Sequence, residues 1–239
     1  MPAAAKTAGP RTRARKNVRA PRRAYNAPMT EHVILLHGVW MRGLTLFSLA
    51  RRLRSAGYTV DVFDYASVFG DATRTCERLR VRMREAKADR VHLVGHSLGG
   101  IVALEATRRV RDLPRGHIVC LGPPLKGSSV ARLLAHMPGG RWILGANHDA
   151  LVAGVERWDG SRPVGVVAGQ MPFGLGVSIG ALTAPHDGTV AVEETRLAGL
   201  ADHCTVDATH TGLLFSPDVA DRTIAFLRKG RFGRARAEG

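Results

Sequence analysis

Between Met29 and Gly230 short apolar runs and amphipathic helical patterns take turns, and this alternation constrains the fold more than any other feature of the chain. "HVILLHG" (32–38), "YTVDVFDY" (58–65), "RVHLVG" (90–95), "HIVCLG" (117–122), "PVGVVAG" (163–169) and "HCTVDAT" (203–209) read as strands. Four to eight apolar residues bounded by glycine fit a strand buried on both faces. Helical patterns lie between them. "LTLFSLARRLRSAG" (44–57) stops at a glycine, and "DATRTCERLRVRMREAK" (71–87) opens on a capping aspartate and puts Cys76, Leu79, Met83 and Ala86 on one face. "LGGIVALEATRRV" (98–110) follows the third strand at once, and "SPDVADRTIAFLRKG" (216–230) closes the pattern between a serine cap and a glycine. Strands alternating with helices predict an α/β domain: a mostly parallel central sheet with helices on both faces.

A chain of 239 residues, 45% of them hydrophobic, can fill one core of this kind. The expected domain spans 29–230, with a basic tail at 231–239. Residues 123–162 are long for a simple crossover and could form a small lid, and the glycine-rich apolar stretch 170–188 is expected to border a substrate pocket. Residues 1–28 carry eight Lys or Arg and no acid, so over half of the formal net charge of +15 sits in a segment with four prolines and few bulky apolar residues. Such a segment is expected to be a disordered arm, suited at most to weak contact with a polyanion. With 5% aromatic residues and only Tyr25 in the arm, specific nucleic-acid recognition is not expected. No apolar run reaches the length of a transmembrane helix. Cys76, Cys120 and Cys204 are too scattered for a disulfide framework or a zinc site, so a cytoplasmic protein without metal is the expectation.

At the third junction the run "RVHLVGHSLGGIVALEATRRV" passes from strand to helix through Gly95-His96-Ser97-Leu98-Gly99-Gly100. Glycines on both sides let the backbone make a sharp, strained turn that lifts Ser97 above the sheet, the geometry of a nucleophile elbow. The Leu98 amide, at the start of the helix, points where an oxyanion would form. A serine hydroxyl needs a base, and the base needs an acid to orient it. His210 follows the last strand and so falls at the carboxyl edge of the sheet, where sites of open α/β folds lie. His203 begins that strand instead, and His136, His148 and His186 lie in irregular segments. Asp187, in an Asp-Gly turn, is the favoured acid, with Asp202 as its competitor; Glu193 and Glu194 fall in "TVAVEETRL", which reads as a short strand entering a helix. Gly38, after the first strand, would let the Val39 amide serve as the second oxyanion donor, with His37 and Trp40 on the pocket floor or rim and His96 beside the substrate.

Together "VILLHGVW", "VHLVGHSLGG", "LGPPLKGS", "HDGTVAVEET" and "THTGLLFSPDVADRTIAFLRKGRF" resemble an α/β-hydrolase of the bacterial lipase/esterase type, over about residues 31–232. The resemblance implies Ser97 as nucleophile, Asp187 as acid, His210 as base, Val39 and Leu98 as the oxyanion hole, a small-molecule or lipid ester as substrate, and no metal or cofactor. Where such lipases often read Gly-Thr-Pro-His-x-Gly-Ser, this chain has Gly122-Pro-Pro-Leu-Lys-Gly-Ser128. The rival readings are an acyltransferase, thioesterase or amidase with the same residues, and a polyanion-binding protein on an idle hydrolase scaffold.

Overall fold

The computed structural model describes residues 29–173 and 182–233. The expected arm 1–28, the stretch 174–181 and tail residues 234–239 lie outside the described residues. Six strands form one sheet: β1 (Glu31–Leu36), β2 (Thr59–Phe63), β3 (Arg90–His96), β4 (Ile118–Leu121), β5 (Val164–Gly169) and β6 (Asp202–Val206). Their order is β2-β1-β3-β4-β5-β6 and every pairing is parallel. All six expected strands are present, with ends that move by up to three residues: β1 and β6 begin one residue earlier than expected and β3 runs one further, to His96.

The period of two decides which helix covers which face. From β1, Ile34 and Leu36 point to the layer of α2 (Ala72–Glu85) and α3 (Leu98–Thr107), joined there by Leu79, Met83, Leu93, Ile118 and Val166. Val33 and Leu35 point the other way, to α1 (Phe47–Ser55) and the last helix, α7 (Pro217–Lys229), with Leu49, Leu53, Val94, Val167 and Phe226. The β1 and β3 aliphatics are essentially without solvent contact, and each such side chain contributes about 1.5–3 kcal/mol. The expected helix ends hold as well. Asp71 Oδ1 accepts from the Arg74 amide at 2.6 Å, Ser216 Oγ from the Val219 amide at 3.4 Å, and Gly230 leaves α7 in the left-handed region at φ 70°. Residues 123–162 fold into three short helices, α4 (Ser129–Ala135), α5 (Gly140–Leu144) and α6 (His148–Ala153). The expected strand-into-helix at 189–197 is instead a 3-10 turn at Val192–Thr195. Glu194 shapes it, its Oε2 accepting from the Ala191 amide at 3.0 Å.

Strand order places the site. From β1 the chain goes to β2 on one side and to β3 on the other, so the carboxyl ends of β1 and β3 flank a topological switch point, where open α/β sheets form ligand crevices. The loop after β1 holds Gly38, and the turn after β3 holds Ser97.

β3 also carries two buried histidines. His92 Nδ1 accepts from the His117 amide at 3.0 Å, and His96 donates through Nε2 to the His210 carbonyl at 2.9 Å. Burial pushes both down to about 3. Between about 3 and the ordinary 6.5 the unfolded chain therefore holds protons that the folded chain does not. Stability rises with pH across that window and is lost on acidification. Urea unfolding from pH 6.5 to pH 4.5 is expected to lose stability at up to about 1.4 kcal/mol per pH unit for each histidine. His92→Gln should flatten the slope; a profile flat in the wild type would contradict the burial of these rings as neutral groups.

Candidate active site

Ser97 sits at φ 53° and ψ −121°, a strained conformation for a residue with a side chain. The surroundings hold it there. Its amide donates to the Leu121 carbonyl of β4 at 2.9 Å, and its own carbonyl receives the Gly100 amide at 2.9 Å as α3 begins. The turn closes only because position 99 lacks a side chain: a Cβ there would stand 2.6 Å from the Leu36 carbonyl oxygen and 2.7 Å from that of His37. The elbow expected from Gly-His-Ser-Leu-Gly is thus the local structure, with Leu98 as the first residue of α3.

Above Ser97 lies a cavity of about 320 Å³. Gly38, Val39, Trp40, His96, Ser97 and His210 line it, together with apolar residues of the 123–162 segment: Val130, Ala131, Leu134, Ile143, Leu144 and Leu151. Expected positions 38, 40, 96, 97 and 210 therefore meet in one place. Leu98, the residue after Ser97, is fully buried and is not among the lining residues.

His210 and Asp187 form a close pair. The imidazole Nδ1 donates to Asp187 Oδ2 at 2.7 Å, and the His210 amide donates to the Asp187 carbonyl at 2.8 Å. The other carboxylate oxygen, Oδ1, accepts from the Thr189 and Val190 amides at 2.9 and 2.7 Å. Asp187 is 1% exposed, so three donors compensate a carboxylate removed from water, as a buried charge requires. With the proton on Nδ1, the His210 Nε2 is free to accept. His96 packs against the same ring, 4.6 Å between centroids. Ser97 and His210 face one cavity without a direct hydrogen bond between them among the described residues, a contact that unliganded sites often hold open.

The other acid candidates are committed elsewhere. Asp202 opens β6, at the opposite edge of the sheet, where its carboxylate accepts from the His203 and Phe232 amides at 2.8 and 2.7 Å. Glu193 pairs with Lys126 and Arg196. Glu194 Oε1 accepts from the Ser129 amide at 2.6 Å and thereby ties the start of α4 to the Asp187 loop. Thr195 Oγ1 is hydrogen-bonded to His203 Nε2 at 2.8 Å, and neither residue lines the cavity.

One expected pocket residue lies elsewhere. β1 ends at Leu36, and the His37 ring turns away from the cavity to stack on Tyr65 at 4.4 Å, with Nε2 2.9 Å from Asp64 Oδ1. Tyr65 Oη also donates to the His37 carbonyl at 2.7 Å. His37 thus braces the 37–41 loop from behind and does not form the pocket floor. In front of it, Trp40 takes φ 57° and donates from Nε1 to the Ile143 carbonyl at 3.0 Å, closing the rim against α5. Among the described residues the Val39 amide has no hydrogen-bond partner.

Sequence reading missed Gly122. It stands at φ 57° after β4, and a Cβ there would fall 3.1 Å from Asp187 Oδ2 and from His210 Nδ1, and 2.9 Å from Leu213 Cδ1. Its sequence signals were its place at the close of the strand next to the one that carries Ser97 and at the head of Gly122-Pro-Pro-Leu-Lys-Gly-Ser128, and neither gave it a role. Among the described residues no cluster of His, Cys, Asp or Glu could hold a metal ion, and no helix is long and apolar enough to cross a membrane.

The fold recurs in solved structures. A lipase of Bacillus licheniformis in its mature form superposes with a TM-score of 0.67 at 18% identity, covering 87% of this chain and 94% of the lipase. A metagenomic carboxyl esterase gives 0.60 at 15% identity, over 77% of this chain and 65% of the esterase. A type II thioesterase from the borrelidin biosynthetic cluster gives 0.52 at 20%, over 86% and 95%. At such identities these likenesses speak for the fold alone. No curated protein matches the sequence. A model of the alpha/beta hydrolase family matches residues 33–172, more than half of the chain. With its parallel sheet, its strained serine turn and this match, the chain belongs to the alpha/beta hydrolase family.

Proposed function

We propose that the protein is a serine hydrolase that cleaves carboxylic esters. The observation that carries this reading is the strained Ser97 facing the same cavity as His210, whose other nitrogen is 2.7 Å from the buried Asp187 carboxylate. Ser97 attacks the ester carbonyl and His210 Nε2 takes the hydroxyl proton. Asp187 holds the imidazole in the tautomer that can accept and stabilises the imidazolium that forms. The Val39 and Leu98 amides receive the developing oxyanion. His210 then protonates the leaving alcohol, and water, activated by the same nitrogen, hydrolyses the acyl-enzyme. No metal or cofactor is called for in this sequence of steps.

The apolar wall from α4 to α6 suits an acyl chain longer than acetyl. In a series of nitrophenyl esters from acetate to dodecanoate, kcat/KM is expected to rise by about fourfold per methylene until the cavity is full, each buried CH₂ being worth about 0.8 kcal/mol. A maximum at acetate would contradict the assigned acyl site. The matching thioester and anilide series tests the leaving group: turnover of thioester or anilide well above ester would move the activity to a thioesterase or amidase.

Gly122→Ala is a test of the pair's geometry at one remove. The added methyl meets both Asp187 Oδ2 and His210 Nδ1. It is expected to displace the imidazole and lower kcat about 10- to 100-fold with KM little changed, since misplacements of about 1 Å cost that much. Unchanged kcat in a folded variant would mean that the pair tolerates displacement and does not set the rate.

A further inference from the structure

A second cavity, of about 460 Å³, opens at the amino edge of the sheet, across the molecule from Ser97. Arg90 begins β3, Arg115 and His117 precede β4, Arg162 precedes β5, and Arg111 follows α3. All of them line this space, and no carboxylate does. Charge here is poorly compensated. Arg162 is 7% exposed and spends its guanidinium on the Val91 carbonyl at 2.9 Å and on the Pro114 carbonyl. It has no carboxylate partner among the described residues, and burial lowers it to about 10. A buried cation held only by carbonyls is an unfavourable arrangement that an anion nearby would relieve. Arg111 and Arg115 are exposed at the mouth without an ion pair among the described residues. The adjacent acids are engaged: Asp112 with Arg84 at 2.8 Å, and Glu31 3.9 Å from Arg90.

We propose that this cavity binds a di- or triphosphate group, free or carried on an organic molecule. The two guanidiniums at the mouth that are unpaired among the described residues, Arg111 and Arg115, with the positive charge of Arg90 and the buried Arg162 behind them, match several phosphate charges, and planar forks are the side chains best suited to phosphate oxygens. Leu113 and Pro114 add an apolar wall against which an organic carrier could lie. The site is independent of the ester chemistry, sharing no residue with it.

Isothermal titration calorimetry of the full chain at fixed ionic strength, with inorganic pyrophosphate and with a nucleoside diphosphate, is expected to give saturable one-to-one binding. Tighter binding of the nucleoside diphosphate would assign the site to an organic carrier, and equal binding to the phosphate group itself. Arg111→Ser/Arg115→Ser should raise Kd at least about tenfold through the loss of two charge-assisted contacts, with ester turnover unchanged. No saturable binding by the wild type would overturn the proposal. So would an unchanged Kd in the double variant, which would put the anion on other basic residues such as those of 1–28.

Discussion

Ser97→Ala is expected to lower kcat for nitrophenyl esters by on the order of 10⁵–10⁶ while leaving the fold intact. The size follows from what else the cavity offers. Its other hydroxyls belong to Ser128, Thr189 and Thr211. Ser128 Oγ is committed as the cap of α4, accepting from the Ala131 amide at 3.1 Å. None of the three sits on the turn between the β3 carboxyl end and the α3 amino terminus. Deleting the hydroxyl leaves only the oriented amides and substrate binding to favour reaction. The turn itself survives, because glycine at 99 and the Leu121 carbonyl hold it rather than the Ser97 side chain. Ser128→Ala is the matched control. It should cost about 1 kcal/mol of stability through the lost cap and leave turnover within a few-fold. Equal losses in both variants would mean that Ser97 is not the nucleophile.

Asp187→Asn is expected to lower kcat by on the order of 10⁴ with the protein folded. An asparagine at 187 can still accept from the Thr189 and Val190 amides through its carbonyl oxygen, so the loop keeps its anchor. Its amide then faces His210 Nδ1 as a donor. The imidazole must place its proton on Nε2, and the nitrogen that should accept the serine proton becomes protonated. Asp202→Asn should leave turnover within a few-fold, because that carboxylate serves the His203 and Phe232 amides at the far end of β6. Steady-state kinetics on both variants, each shown folded by circular dichroism, check the pair. Loss in Asp202→Asn with activity kept in Asp187→Asn would exchange their roles.

The strands and the capped helices were legible because their signals are local. A buried parallel strand needs a continuous apolar run, and Asp71, Ser216 and Gly230 act on the backbone within a turn of themselves. The strained turn at Ser97 was legible for the same reason, since its glycines are neighbours in sequence. What escaped depends on contacts between distant segments. His37 follows β1 in a way that suits a pocket residue, yet Tyr65 and Asp64, from the end of β2, draw its ring to the other side. Gly122 and Glu194 act across the fold, one on the His210–Asp187 pair and the other on the Ser129 amide. Asp187 was one of several acids in order along the chain, and only the path of the loop brings it, rather than Asp202, to His210. The grouping of four arginines at the amino edge has no sequence period, because each comes from a different strand approach or helix exit.

The central claim is that Ser97, activated by His210, attacks a carbonyl held in this cavity. Intact-protein and peptide mass spectrometry after treatment with a long-chain fluorophosphonate tests it most directly, because the adduct forms only on a serine that its base has activated. One adduct per chain is expected, on the peptide carrying Ser97, forming much more slowly in Asp187→Asn and absent from Ser97→Ala. A folded wild-type protein that takes up no probe, or an adduct that persists in Ser97→Ala, would contradict it.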